Sequence, residues 1–186
     1  MSVISEALHS GIDMVASLIA YASVKQSSKP ADREHPYGHG KFENVGSITE
    51  AILIILVAGG IIWKAVPKLF HPTEVSSLGY GAVVMAVSMV ANIIVSRYLM
   101  KIGKKTDSPA LEGDAIHLSA DVLTSLGIFI GLGAIKITGL MILDPIIAIG
   151  ISLLILKAGY DLIKKSFKVI VDEKLSEEEI DYLNKF

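Results

Sequence analysis

The stretch LEGDAIHLSADVLTSLGIFIGLGAI, residues 111–135, is apolar for most of its length and carries His117 and Asp121. At 1.5 Å per residue, a helix of this length covers the roughly 30 Å hydrocarbon core of a bilayer. Residues four apart on a helix lie on one face, so one imidazole and one carboxylate reach the same place. Charged side chains inside a membrane cost about 2.5–3.5 kcal/mol each on insertion scales, which favours a functional role for this pair.

The same spacing occurs a second time, at His9 and Asp13 in VISEALHSGIDMVASLIAYA, residues 3–22. Two such helices side by side would supply two nitrogen and two oxygen ligands, a set that suits a tetrahedral divalent cation such as Zn²⁺. The alternative is that these groups only form hydrogen bonds between helices. The repeated spacing favours a metal site, and the sequence therefore predicts a membrane transporter of a divalent metal.

Asp114 precedes His117 by three residues and so lies on the same helical face. We predict that it acts as a proton relay or supports the metal ligands. The alternative is a position in water at the cytoplasmic end of the helix. The role of Glu50, an isolated carboxylate in another apolar segment, stays open.

Apolar residues make up 52% of the 186-residue chain and come in long blocks. The sequence predicts an all-α membrane protein, a polytopic bundle with five transmembrane helices. The predicted spans are about 2–24, 45–69, 77–100, 110–136 and 143–165. A net charge of −2 argues against nucleic acid as a partner and leaves the lipid bilayer as the expected surroundings. The absence of Cys excludes disulfides and thiolate metal sites.

The basic residues predict the orientation of the chain in the membrane. Of 17 Lys and Arg residues, 14 lie in 25–43, in 97–105 or from Lys157 onward. By the positive-inside rule these connections and the C-terminus are cytoplasmic, in a multi-pass protein of the cell (inner) membrane. The N-terminus would then lie outside, so we expect one more leading span in the complete protein. We expect a transmembrane domain over 1–166, with 167–186 beginning a truncated cytoplasmic domain.

The loop DREHPYGHGKFE, residues 32–43, is a second concentration of metal ligands. Asp32, His35 and His39 are a candidate chelate, and loop histidines that are simply solvated are the alternative. Lys41 and Asp172 both flank the cytoplasmic membrane surface, where we predict that their opposite charges tie the loop to the start of the soluble domain. An exposed pair of this kind contributes about 0–1 kcal/mol.

These motifs together resemble the cation diffusion facilitator family, also called cation efflux proteins. The resemblance lies in SEALHSGID (5–13), DREHPYGHGKFE (32–43), LEGDAIHLSAD (111–121) and the Asp144-Pro145 pair that opens the last span. It implies six spans, a cytoplasmic C-terminal domain and a homodimer. By that pattern the chain begins at the second span.

The resemblance also implies a function: export of zinc or a similar divalent ion from the cytoplasm in exchange for protons. The family's transport site falls on His9, Asp13, His117 and Asp121, and the 32–43 loop resembles a second family metal site. The first of these positions is Asp in many members and His here. Two imidazoles favour Zn²⁺ over Mn²⁺, and Fe²⁺, Co²⁺ and Cd²⁺ stay open.

Two other functions fit intramembrane metal ligands less well. A metal-dependent hydrolase needs an open metal position and a nearby base, but four protein ligands leave no vacancy and no His-Glu-x-x-His motif is present. A membrane subunit that does not transport would be expected to lose the ligands, and all four are present.

Overall fold

The computed structural model of this chain describes residues 3–71 and 79–174, except the side chains of 3–10 and 79–80. These residues form five helices and no strand, which confirms the predicted all-α bundle. The helices are α1 (Val3–Ser27), α2 (Phe42–Phe70), α3 (Gly79–Thr106), α4 (Pro109–Thr138) and α5 (Leu143–Ile170).

Four of the five helices are long and apolar enough to cross a membrane within the described residues. They are Phe42–Phe70, Gly81–Thr106, Pro109–Thr138 and Leu143–Ile170. Large apolar side chains point outward on these helices, for example Trp63 and Leu56, while Glu50 and His117 are buried. This arrangement is that of a multi-pass membrane protein. Whether α1, at 25 residues, also spans stays a prediction.

The helices extend past their predicted spans, and α3 and α5 do so by the most residues. α3 continues to Thr106 and α5 to Ile170, because their last turns remain helical after the sequence becomes rich in Lys. Long Lys side chains can lie along a helix and place their charge in water. A sharp turn then joins α3 to α4, where Ser108 accepts a hydrogen bond from the amide of Leu111 as N-cap. The predicted cytoplasmic segment beyond residue 174 lies outside the described residues.

α4 occupies the centre of the described bundle, where it contacts each of the other four helices. The most extensive interface lies between α2 and α5. It surrounds a small core in which Ile54, Ala58 and Ile155 are at most 1% exposed. The central position of α4 places its polar residues inside the protein.

Hydrogen bonds and ion pairs join the helices at one end of the bundle, here called the lysine-rich end and defined by Lys41, Glu43, Ser108 and Lys165. Glu43 accepts hydrogen bonds from Ser27, at 2.6 Å, and from Ser108. Lys165 of α5 pairs with Glu112 of α4 at 2.5 Å. The connections after α1 and α3 and the end of α5 therefore meet at this end, which is the end predicted to be cytoplasmic.

Candidate metal sites

The structure brings Asp13, His117 and Asp121 together between α1 and α4. One ligand atom from each lies within 4.8 Å of the other two. The His117 Nε2 atom is 3.3 Å from Asp13 Oδ1 and 4.0 Å from Asp121 Oδ2. His117 and Asp121 are buried, and Asp13 is partly exposed. We call this group the intramembrane cluster.

The fourth predicted ligand, His9, belongs to α1 and lies four residues before Asp13. Its side chain lies outside the described part of the structure. The described donors are thus one imidazole and two carboxylates from two helices. His117 and Asp13, which are in contact, lie 104 residues apart in the sequence. Nitrogen and oxygen donors at this spacing suit a divalent transition metal. Their role as metal ligands stays a prediction.

Asp114 is 8% exposed and faces the interior. Its carboxylate accepts a hydrogen bond from Ser17 of α1. The alternative that placed Asp114 in water is therefore wrong, because α1 covers this face of α4. Its assignment as a proton relay or a support for the ligands stays a prediction.

In the loop between α1 and α2, Asp32, His35 and His39 also lie together, with one ligand atom from each within 4.8 Å. Asp32 Oδ2 is 3.5 Å from His39 Nε2, and Asp32 Oδ1 is 3.6 Å from His35 Nδ1. His39 is only 4% exposed, and its Nδ1 lies 3.1 Å from the carbonyl oxygen of Pro30. A histidine in a merely solvated loop would be exposed, whereas His39 is buried. We call Asp32, His35 and His39 the loop cluster.

The backbone of the loop holds the Asp32 carboxylate in place. The amides of His35 and Glu34 donate to Asp32 Oδ1 at 2.7 and 2.9 Å. The hydrogen bond from His35 is the main cause that lowers the pKa of Asp32 below its ordinary value, and the Glu34 amide and the two imidazoles add to it. Gly38, with a φ of +86°, provides the turn that returns His39 toward Asp32.

The predicted pairing of Lys41 with Asp172 is present. Lys41 Nζ lies 2.7 Å from Asp172 Oδ2 and also donates to the carbonyl oxygen of Ile170 at 3.2 Å. The contact joins the start of α2 to the residues just after α5. Both side chains are more than half exposed, so the pair contributes little to stability.

We predict that Lys41→Glu lowers the free energy of unfolding by about 0–1 kcal/mol, because a screened attraction becomes a screened repulsion. Thermal unfolding of the purified chain in detergent measures the change. The double variant Lys41→Glu/Asp172→Lys restores the pairing and serves as the control. Equal stability of the single and double variants would show that the pair does not couple the loop to α5.

Sequence reasoning left Glu50 without a role, although an intramembrane carboxylate is itself a signal for one. The structure buries Glu50 completely, at 0% exposure. Neither of its carboxylate oxygens has a hydrogen-bond partner. Glu43 was not singled out either, and only the packing of α1, α2 and α4 reveals that it joins them.

With the geometry in place, comparison with known proteins identifies the class. The family model described as the cation efflux transmembrane domain matches residues 1–171. The chain therefore belongs to the cation efflux family, as its motifs predicted. Membership of this family and the apolar helices together make it a multi-pass protein of a lipid bilayer.

Individual relatives agree with this assignment. An uncharacterized transporter of Synechocystis is 32% identical over 94% of this chain and 56% of its own length. The magnetosome protein MamB of Paramagnetospirillum magneticum is 31% identical over 96% of this chain and 60% of its own length. The manganese efflux system protein MneP of Bacillus subtilis is 32% identical over 97% of this chain and 62% of its own length. The chain thus spans about three fifths of these relatives.

Proposed function

We propose that this chain is the membrane part of a divalent-cation exporter whose cargo binds at His9, Asp13, His117 and Asp121. The intramembrane cluster is the observation that carries the proposal. Its three described ligand groups come from two helices, and they converge within 4.8 Å in the interior of an apolar bundle. Acidic and imidazole side chains in such a place mark an ion pathway.

Zn²⁺ is the cargo that the donor set favours. With His9 in place, the site has two imidazoles and two carboxylates, which suit zinc better than a harder ion such as Mn²⁺. The relative MneP is named a manganese efflux system protein, so Mn²⁺ is also a cargo to be tested. Fe²⁺, Co²⁺ and Cd²⁺ are the others. A carrier must also release its cargo, and a site without thiolates does so more readily than a closed cysteine cage.

Protons are the proposed counter-ion. Imidazole titrates near pH 6.5 and carboxylates near 3.9, so proton competition at neutral pH falls mainly on His9 and His117. A metal ion that leaves the site exposes these nitrogens to protonation, and deprotonation restores the ligands. The chain would then act as a secondary transporter, a metal/proton antiporter, and not as an enzyme. We further propose a homodimer in the inner membrane with a cytoplasmic C-terminus.

Metal flux in vesicles that hold the complete protein tests this function. An imposed pH gradient is expected to drive zinc across the membrane. A zinc-sensitive dye trapped inside the vesicles measures this flux. Asp121→Asn keeps the size of the side chain but removes a charged ligand, and we expect it to abolish the flux. A zinc flux that does not depend on the pH gradient would contradict proton coupling. Full flux in Asp121→Asn would contradict the assigned site.

The loop cluster is proposed as a second metal site, outside the transport path. Because the pKa of Asp32 is lowered, its carboxylate stays ionised to a lower pH than that of an ordinary Asp. Asp32 is therefore the charged ligand of the proposed loop site. The lowered pKa also means that Asp32 stabilises the folded loop above its ordinary pKa, and this contribution is lost as the pH falls through the lower folded-state value.

We predict that Asp32→Asn weakens zinc binding at the loop by at least about tenfold, because a charged ligand becomes a neutral one. In the unchanged loop, binding should weaken as the pH falls, because protons compete with the metal for its ligands. Calorimetry on a chain that carries His117→Ala removes the intramembrane cluster from the measurement. Equally tight zinc binding in Asp32→Asn would contradict the assignment of the loop site.

A further inference from the structure

Glu50 of α2 is a buried ionisable group that the proposed transport site does not use. It is among the largest fully buried side chains of the described residues, and neither carboxylate oxygen has a hydrogen-bond partner. A carboxylate taken out of water without a partner is unfavourable, so such a group takes up a proton or binds a cation.

Asp114 of α4 is a second carboxylate whose charge acts on Glu50. The two residues belong to helices that pack against each other. Asp114 accepts a hydrogen bond from Ser17 of α1, and its Oδ1 atom has no hydrogen-bond partner. Glu50 and Asp114 together thus have three carboxylate oxygens without a hydrogen-bond partner.

Gly113 makes room for the Glu50 carboxylate. A Cβ atom at Gly113 would collide with Glu50 Oε2 and would come within 3.4 Å of the Cα atom of Ser47. The backbone of α4 thus forms one wall of the space that the Glu50 carboxylate occupies. Any side chain at Gly113 would displace the Glu50 carboxylate.

The pair also lies on the way to the intramembrane cluster. Counted from the start of α4 at Pro109, Asp114 is about 7.5 Å along the helix, His117 about 12 Å and Asp121 about 18 Å. The Glu50 carboxylate lies against Gly113, which is about 6 Å along α4. A cation that entered from the lysine-rich end would reach Glu50 and Asp114 before the cluster.

We propose that Glu50 and Asp114 form a second intramembrane site that binds a divalent metal ion through carboxylate oxygens. Oxygen donors without imidazole suit harder ions such as Mn²⁺ and Mg²⁺. This site holds an ion between the lysine-rich end and the intramembrane cluster. The direction of passage rests on the proposed export function, and the binding itself does not.

The test uses Mn²⁺ as the probe, followed by the loss of the free-ion signal in electron paramagnetic resonance. The background is the purified chain with four substitutions, His117→Ala, Asp121→Ala, His35→Ala and His39→Ala, which remove both other candidate sites. We expect this background to retain bound Mn²⁺. Glu50→Gln is expected to abolish that binding, because it keeps the shape of the side chain and removes its charge.

Two further variants make the result specific. Gly113→Ala keeps both carboxylates but displaces Glu50, so it should also abolish the binding. Glu112→Gln is the matched control, since Glu112 is also buried, at 8% exposure, but is paired with Lys165, and we expect it to retain the binding. Circular dichroism and gel filtration verify that each variant is folded.

A background that binds no Mn²⁺ would overturn the proposal, as would binding that survives in Glu50→Gln or is lost equally in Glu112→Gln. These results are independent of the proposed transport function. Loss of zinc flux in Asp121→Asn concerns the cluster alone, whereas the Mn²⁺ experiment is made without the cluster. Either conclusion can therefore fail while the other stands.

Discussion

Replacing His117 by Ala is expected to abolish zinc binding at the intramembrane cluster. His117 is 3% exposed and is the described nitrogen donor that contacts both Asp13 and Asp121. Among the described ligands, its removal leaves only the two carboxylates. The site then has fewer ligands and lacks the imidazole that contacts both negative charges. Loss of a group that only supports a metal ligand costs about 10–100-fold in affinity, and loss of the ligand itself should exceed that.

Zinc titration of the purified chain in detergent measures this effect. The parent should lose affinity as the pH falls through the imidazole range, and the variant should lack the site altogether. His71→Ala is the matched control. His71 is an exposed histidine directly after α2, at the end of that helix away from the lysine-rich end. A variant that binds the same number of zinc ions as the parent would mean that the loop cluster holds the metal.

The second large effect is expected at Gly159, where α5 packs closely against α2. A Cβ atom there would lie 2.9 Å from Ile55 Cγ1 and 3.3 Å from the carbonyl oxygen of Ala51. The Ile55 side chain can rotate, but the backbone oxygen cannot move without the helix. Gly159→Val should therefore separate α2 from α5 and reduce the free energy of unfolding by about 1–3 kcal/mol, the usual cost of overpacking.

Gly150→Val on the same helix is the control, because a Cβ at Gly150 meets no atom within 4 Å. It reproduces the change in helix propensity without the steric conflict. Thermal unfolding in detergent compares the two variants, and we expect a markedly lower midpoint for Gly159→Val. Equal midpoints would show that the α2–α5 interface can spread to accept the side chain.

The helical bundle and the main site candidates could be read from local patterns. The spacing of His117 and Asp121 determines that they share a face, since the period of the α-helix acts within one turn. The loop candidates Asp32, His35 and His39 are likewise close in sequence, and they converge in the structure. Apolar blocks of bilayer length marked the spans because the cost of exposing backbone to lipid permits few other structures.

Other features depended on helices that are remote in sequence. The burial of Glu50 requires Gly113, which lies on another helix and has no side chain to hold the two backbones apart. The burial of Asp114 requires α1 to cover that face of α4. The longer ends of α3 and α5 also escaped prediction, because the predicted spans end where the sequence becomes rich in Lys although the helices continue.

By itself, then, the sequence determined that the chain forms apolar helices, that polar ligands recur at a one-turn spacing, and that a compact loop carries three more. These are properties of short segments, where geometry follows from the helical repeat and from composition. Only the tertiary structure decided which helices touch, that Asp13 meets His117 and Asp121, and that Glu50 is buried against Gly113. Contacts between remote helices depend on the fit of whole surfaces, in which one glycine can decide whether a carboxylate fits between two helices.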